Sequence, residues 1–323
     1  MFDINWSVKF KNAGVTYRLE TIAAIDIDES VDNLADTATI TLPEAVMNQV
    51  LNIGERIGRG SEVIIQLGYD GDLKTEFVGF VQNIVTNDSA LKIICEDALF
   101  LFRVGVKDAE LKPTTMAKIA QSLLDQINPS YKLICDFDIA YEKFVIHQAT
   151  AYDVLKKLAD ETKANIYFNT DKKELHIHEP YLEKGGEVIY SMQVNVEKST
   201  LEYRKAIDRK VEVVVESTDI KGKVQSYTTG TTGGEKITRK VGAINPADLP
   251  KIANAELLRR SADMYEGAID AWLIPFVKPT YSAKVKDEDY PEKDGTYYVV
   301  GVVTSVSEAG CKRTVKLGVK LSI

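Results

Sequence analysis

The stretch Ser61–Asp97, SEVIIQLGYDGDLKTEFVGFVQNIVTNDSALKIICED, decides the fold. It reads as three strands. Asp70-Gly71 marks the first turn between them, and Asn87–Ser89 marks the second. Upstream, WSVKFKNAGVTYRL is two alternating runs around Asn12-Ala13-Gly14, a second hairpin signal. In DTATITLP, Thr37, Thr39 and Thr41 alternate with Ala38, Ile40 and Leu42, and the run stops at Pro43. Residues 44–52 suit one or two helical turns. Five or more short antiparallel strands joined by tight turns predict a small barrel or sandwich over residues 1–110.

The period changes after residue 110. In KPTTMAKIAQSLLDQINP, Met116, Ile119, Ala120, Leu123, Leu124 and Ile127 follow the 3.6-residue repeat of an amphipathic helix. Thr114 or Thr115 can cap it, and Asn128-Pro129 ends it. YKLICDFD and EKFVIHQ read as strands. TAYDVLKKLADETKA is a second helix, with Thr150 as N-cap, Asp153 three residues on, and Val154, Leu155, Leu158 and Ala159 facing inward. NIYF, a turn at Asn169–Lys173 and ELHIHEP form a hairpin. Residues 111–185 are thus expected to be a small α+β domain.

Residues 186–323 are β-rich again, with one long helix near Ala247–Glu266. Asp248 is its expected cap, Pro250 lies in its first turn and Gly267 takes the position after its end. FVGFVQNIVTNDS (77–89) and YVVGVVTSVSEAG (298–310) echo each other. Phe77, Val78, Val81, Val85 and Thr86 match Tyr298, Val299, Val302, Val306 and Ser307. The echo suggests two related β-domains around the α+β insert. The fold class expected is α+β, mainly β, with antiparallel barrels at 1–110 and 186–323.

Composition narrows the function. The 323 residues are 45% hydrophobic and carry 48 acidic against 40 basic groups, a net charge of −8, so no basic footprint points to specific nucleic-acid binding. The apolar runs are too short for a membrane span of about 20 residues. MFDINWSVKF has neither a basic n-region nor an apolar h-region, so no signal peptide is expected. Cys95, Cys135 and Cys311 are far apart and odd in number, which suits reduced thiols rather than a disulfide framework.

Few residues carry chemistry. His176 and His178 are alternate positions of a strand and share its face with Glu174, while Leu175 and Ile177 take the other. Two such histidines suit zinc, with Glu174 or His147 as a third ligand. The simpler reading is a half-buried hairpin strand with its polar side in water, and no metal site or cofactor is expected. The acid pairs Asp26/Asp28 and Asp136/Asp138 read as solvated strand faces, and Asp287–Asp289 as a polar loop. TTGTTGGEK (228–236) is followed by a strand-like EKITRKV, which excludes a phosphate loop and leaves a mobile loop or hairpin tip. No nucleophile motif is present, so an enzyme is not expected. In DAWLIPF, Asp270, Trp272 and Ile274 alternate with Ala271, Leu273 and Pro275, so both strand faces carry apolar bulk. Either this strand lies under the long helix, or it faces another subunit. Trp272, Ile274 and Phe276 are the candidate interface residues.

The order of these segments resembles a known family. DNLADTATITLP, SEVIIQLGYDGDLKTEFVGFVQNI, ALKIICED and the KPTTMAKIAQSLL helix resemble the start of the phage tail baseplate hub proteins of the late control protein D class. TAYDVLKKLADETKANIYFN resembles their middle segment, and DGTYYVVGVVTSVSEAGCKRTVKLGV their terminal hairpin. The resemblance spans nearly the whole chain and rests on hydrophobic and turn patterns, not on catalytic signatures. It implies a non-enzymatic structural protein of a contractile phage tail or tail-like injection device. Each chain would carry two tube-like β-barrel domains. A homotrimer would form a pseudo-sixfold ring joining the tail tube protein to the spike protein, beside other baseplate proteins. The location implied is the virion tail, after assembly in the bacterial cytoplasm. The negative charge fits a lumen through which DNA slides without sticking. The family often has a glycine-bearing loop before the closing hairpin, which VKPTYSAKV lacks, leaving the pairing around 276–286 open. No lytic or spike segment is appended, so such a part is expected on another chain. Two alternatives stay open: a tail-tip hydrolase of peptidoglycan or glycans, and a siphophage tail-tip binding module.

Overall fold

The computed structural model describes residues 3–43, 56–87, 90–206, 209–291 and 294–322. The helical turns expected at 44–52 fall outside these, as does most of the turn at 87–89. The chain opens with seven strands, β1 (Ile4–Asn12), β2 (Val15–Arg18), β3 (Ala24–Ser30), β4 (Thr37–Pro43), β5 (Glu62–Tyr69), β6 (Asp72–Asn87) and β7 (Ala90–Glu96). The middle holds β8 (Ala109–Leu111), β9 (Thr114–Thr115), α1 (Met116–Ile127), β10 (Lys132–Cys135), β11 (Ala140–Ile146), α2 (Ala151–Thr162), β12 (Asn165–Asn169) and β13 (Glu174–His178). Then come β14 (Glu187–Ser191), β15 (Lys198–Ser199), β16 (Glu202–Arg204), β17 (Val211–Thr218), β18 (Val224–Gly230), β19 (Glu235–Val241), β20 (Ala243–Ile244) and α3 (Leu249–Ser261). The chain closes with β21 (Met264–Glu266), β22 (Ala268–Ala271), β23 (Ser282–Lys286), β24 (Gly295–Ser307) and β25 (Gly310–Ser322). Strands dominate, as expected. Among the described residues no helix is long and apolar enough to cross a membrane.

The elements gather into two compact units, each built from separated segments. Unit 1 takes Met1–Phe100, Gly185–Leu201 and Gly267–Leu317; unit 2 takes Leu101–Lys184, Glu202–Glu266 and Gly318–Ile323. These differ from the limits expected at 110/111 and 185/186. The physical reason is one strand pair. β24 lies antiparallel to β3, Ser307 opposite Ala24 and Gly301 opposite Ser30, so the closing hairpin completes the sheet begun by the first hundred residues. In unit 1 the sheet runs β15-β22-β25-β24-β3-β4-β7-β6-β5-β1-β2. β23 pairs with β24 and, in parallel, with β14, which answers the open pairing around 276–286.

Local chemistry explains the hairpins. β1 and β2 are joined by Ala13 (φ 47°) and Gly14 (φ 81°), and β5 and β6 by Asp70 (φ 51°) and Gly71 (φ 85°). Two central residues with positive φ make the turn whose twist matches the strands, and glycine takes that conformation without a Cβ clash. The core is one stripe of alternate residues. Ile25, Ile27, Ala38, Ile40, Leu42, Val63, Ile65, Phe77, Val81 and Ile93 are buried in one cluster. At about 25 cal/mol per Å² of apolar surface removed from water, this stripe is the main favourable term. The echo at 77–89 and 298–310 falls on β6 and β24, each the long first strand of a hairpin.

In unit 2, Thr115 caps α1 by accepting from the Lys118 amide at 3.3 Å, and Met116, Ile119, Ala120, Leu123 and Leu124 are buried. Thr150 and Asp153 form the expected capping box at α2. The long helix differs from expectation: α3 stops at Ser261, because residues from Met264 pair with β16 and with β25 at Val319. Gly267 therefore lies between strands. Asp248 does not cap α3 with its side chain; its carboxylate accepts from the Ala140 amide at 2.8 Å instead.

Candidate functional site

The histidine strand β13 is central in its small sheet, parallel to β10 and antiparallel to β12. Leu175 and Ile177 point into the core, as their spacing predicts. The opposite face is not wet. His176 is 8% exposed and His178 6% exposed, which corrects the reading of that face as solvated. Two neighbours cover it. Tyr167, directly opposite His176 on β12, stacks on its ring at 5.0 Å and 9°. After β13 a turn at Pro180–Leu182 brings Glu183 against both imidazoles.

Three groups converge here. His176 Nδ1 lies 3.0 Å from His178 Nε2. Glu183 Oε1 lies 3.6 Å from His176 Nδ1, and its Oε2 lies 3.4 Å from His178 Nε2. Each ring also has a carboxylate at its other nitrogen. Glu174 Oε2 hydrogen-bonds His176 Nε2 at 3.0 Å, and Asp136 Oδ2 stands 2.8 Å from His178 Nδ1. The Asp136 approach is out of line, so among the described residues His178 Nδ1 has no hydrogen-bond partner, and neither has the buried Glu183 Oε2. Burial, helped by the charge of Asp136, raises the Glu183 carboxyl to about 7. Burial also lowers the His176 imidazole, against the pull of Glu174.

Sequence spacing found the histidines but not Glu183, which comes from a turn and not from the strand. Of the expected third ligands, Glu174 sits behind His176, and His147 pairs instead with Asp108 at 2.7 Å. Asp136 belongs to this cluster. Asp138 is half-buried and accepts from the Ala117 amide at the start of α1, at 2.9 Å, whereas Asp26 accepts from Ser305 at 2.8 Å on an exposed strand face, as expected. The glycine-rich 228–236 stretch ends β18 and begins β19, crossing the start of β17, which lies between them in the sheet. A Cβ at Gly230 or Gly234 would stand 2.2 Å from the Val211 carbonyl oxygen or 2.3 Å from that of Lys210, which explains the glycines without a phosphate.

A second constellation lies inside unit 1. Arg313 on β25 is fully buried. It donates to Glu76 Oε1 on β6 and to the Leu273 carbonyl, both at 2.5 Å, and to the Pro275 carbonyl at 3.0 Å. Lys278 donates to both Glu29 oxygens, at 2.7 and 2.8 Å, and to the Glu76 carbonyl. Burial raises the Glu29 carboxyl, with Lys278 opposing. Four charges thus tie β3, β6 and β25 to the 273–278 segment. A sequence signal existed: Ile25, Ile27 and Glu29 share one face of β3, which places the carboxylate on the buried side.

That segment corrects another expectation. The strand ends at Ala271, and Trp272–Val277 is irregular. Pro275 has no amide to pair. Leu273 is 4% exposed, while Trp272 is 51% and Ile274 54% exposed, so the bulk on that side is not covered by the described residues. Trp272 Nε1 donates to Glu197, and Phe276 lies 5.5 Å from the Arg313 guanidinium.

No family model and no curated protein matches the chain. Solved structures do. A tail protein from Neisseria meningitidis MC58 aligns over 98% of this chain and 96% of its own, with TM-score 0.67 and 16% identity. The 43 kDa tail protein of prophage MuSo2 from Shewanella oneidensis covers 96% of this chain and 98% of its own, with TM-score 0.66 and 16% identity. An Escherichia coli component of the type VI secretion system, described as structurally similar to the T4 tail proteins gp27 and gp5, covers 98% of this chain and 77% of its own, with TM-score 0.62 and 10% identity. The chain has the fold shared by these tail and hub-like proteins.

Proposed function

We propose that this chain is a non-enzymatic hub of a contractile phage tail or tail-like injection device, in which three copies form a pseudo-sixfold ring between the tail tube and the spike. The observation that carries the reading is the β3–β24 pair. It sets β1–β7 beside a second group of strands, β14, β15 and β22–β25, in one sheet. We read these groups as the two tube-like modules of one chain, so that three chains supply six. The likeness to tail proteins over nearly the full length of both chains supports this. So does the Francisella PdpA–VgrG complex, in which a chain matches 99% of this one over 58% of its own length, with TM-score 0.60.

The ring needs subunit contacts. Trp272, Ile274 and Phe276 are the interface residues we assign, since two of the three present large uncovered apolar surface. Obligate interfaces of this kind bury more than about 2,000 Å². The test is native mass by light scattering across micromolar concentrations, alone and with the cognate spike. A species of three times the 35.9 kDa chain mass supports the reading, and Trp272→Lys is expected to reduce it to monomer. A monomer under both conditions overturns it.

A further inference from the structure

We propose that His176, His178 and Glu183 form a zinc site that fastens the turn after β13 onto that strand. This goes beyond the hub reading and does not depend on it. The geometry comes first. Zinc held tetrahedrally at about 2.0–2.1 Å sets neighbouring ligand atoms about 3.3–3.4 Å apart. His176 Nδ1, His178 Nε2 and the Glu183 oxygens are separated by 3.0, 3.4 and 3.6 Å. The 3.4 and 3.6 Å separations run to different oxygens of Glu183, and one ligand atom from each residue lies within 4.8 Å of the others, so an ion seated between the two nitrogens and the carboxylate meets all three after a small turn of the Glu183 side chain, with a water in the fourth position.

The surroundings match as well. A ligating imidazole is usually held at its other nitrogen by a carboxylate or carbonyl, which fixes the ring and strengthens the donor. Glu174 hydrogen-bonds that nitrogen of His176, and Asp136 stands 2.8 Å from that of His178, where a small rotation would bring it into line. Two imidazole nitrogens 3.0 Å apart can share only one proton. Next to them, the buried Glu183 Oε2 has no hydrogen-bond partner in a place where orphaned polar atoms are costly. A divalent cation takes the place of that shared proton and supplies the missing partner of Glu183 Oε2. Two imidazoles with one carboxylate and a water is a ligand set that zinc takes, whereas calcium and magnesium would demand more oxygen ligands.

The pieces are also built to last. The histidines lie on the central strand of a hydrogen-bonded sheet, with Tyr167 stacked on one ring, so two ligands are preorganised. Only Glu183 must be brought in, by the Pro180–Leu182 turn. Metal binding would therefore order that turn, and loss of metal would release it first.

The experiment uses untagged full-length protein, stripped with chelator, dialysed against zinc chloride and analysed for metal by mass spectrometry. The expected result is one zinc per chain, a higher melting temperature than the stripped form, and a cobalt-substituted form with the strong visible absorption of tetrahedral coordination. Glu183→Gln should abolish stoichiometric binding while keeping the far-ultraviolet circular dichroism. Glu174→Gln should weaken binding about 10–100-fold. His147→Ala, remote from the three ligands in its pairing with Asp108, should bind as wild type. Wild-type protein that takes up no zinc overturns the proposal, as does zinc retained undiminished by Glu183→Gln or lost in His147→Ala.

Discussion

Removing the Arg313 guanidinium tests how unit 1 is held together. Arg313 is completely buried, and Glu76, its partner, is 2% exposed on its side chain. Taking away one member of a buried pair leaves the other charge uncompensated, a loss of about 3–5 kcal/mol. Arg313→Ala also takes the donor from the Leu273 and Pro275 carbonyls. Both tryptophans of the chain, Trp6 and Trp272, lie in unit 1, so tryptophan emission, excited where tyrosine does not absorb, follows this unit alone. With a urea m-value of about 2–3 kcal/mol per molar for a unit of this size, the midpoint should fall by about 1–2.5 M. The double variant Arg313→Met with Glu76→Leu should recover most of that loss, because no buried charge is then left alone. A shift below about 0.3 M in Arg313→Ala would refute the reasoning. So would a double variant no more stable than the single one, since the loss would then lie in packing and not in an unpaired charge.

Two further outcomes concern unit 2. Glu256 is buried, which by itself raises its carboxyl, but hydrogen bonds and charge from Arg239 and Arg260 more than offset this and hold it below its ordinary value. A depressed carboxyl stabilises the fold above its unfolded pKa, and that stability is lost as pH falls through the folded value. Melting followed by circular dichroism from neutral pH down to about pH 3 should therefore drop more steeply for wild type than for Glu256→Gln; parallel curves would contradict the pairing. At α2, Thr150→Ala removes the hydroxyl that accepts from the Asp153 amide at 3.1 Å and donates to its carboxylate at 2.6 Å. The expected cost is about 1 kcal/mol, a melting shift of about 2–4 °C, and no shift would show that the capping box adds nothing here.

Much of the local structure was legible in the residues themselves. The alternation of Thr37–Leu42, the turns at Ala13-Gly14 and Asp70-Gly71, the apolar stripe of α1 and the Thr150–Asp153 box all came through, because each depends on residues within a few positions of one another. The candidate site was half legible. A strand period places His176 and His178 on one face, but whether that face is wet depends on what covers it.

Tertiary structure alone decided the rest. The pairing of β3 with β24 joins residues more than 270 apart in sequence, Ala24 opposite Ser307, and no local pattern encodes which edge a strand will meet. For the same reason α3 ended at Ser261, where pairing of Met264–Glu266 outweighed helix signals that ran on to Gly267. Glu183 is beside the histidines because a turn folds it back, and Tyr167 because β12 sets it opposite. The sequence determined periods, turns and caps, whose energies are local. Burial and the meeting of charges were settled only by the fold, since both depend on which distant surfaces exclude water from one another.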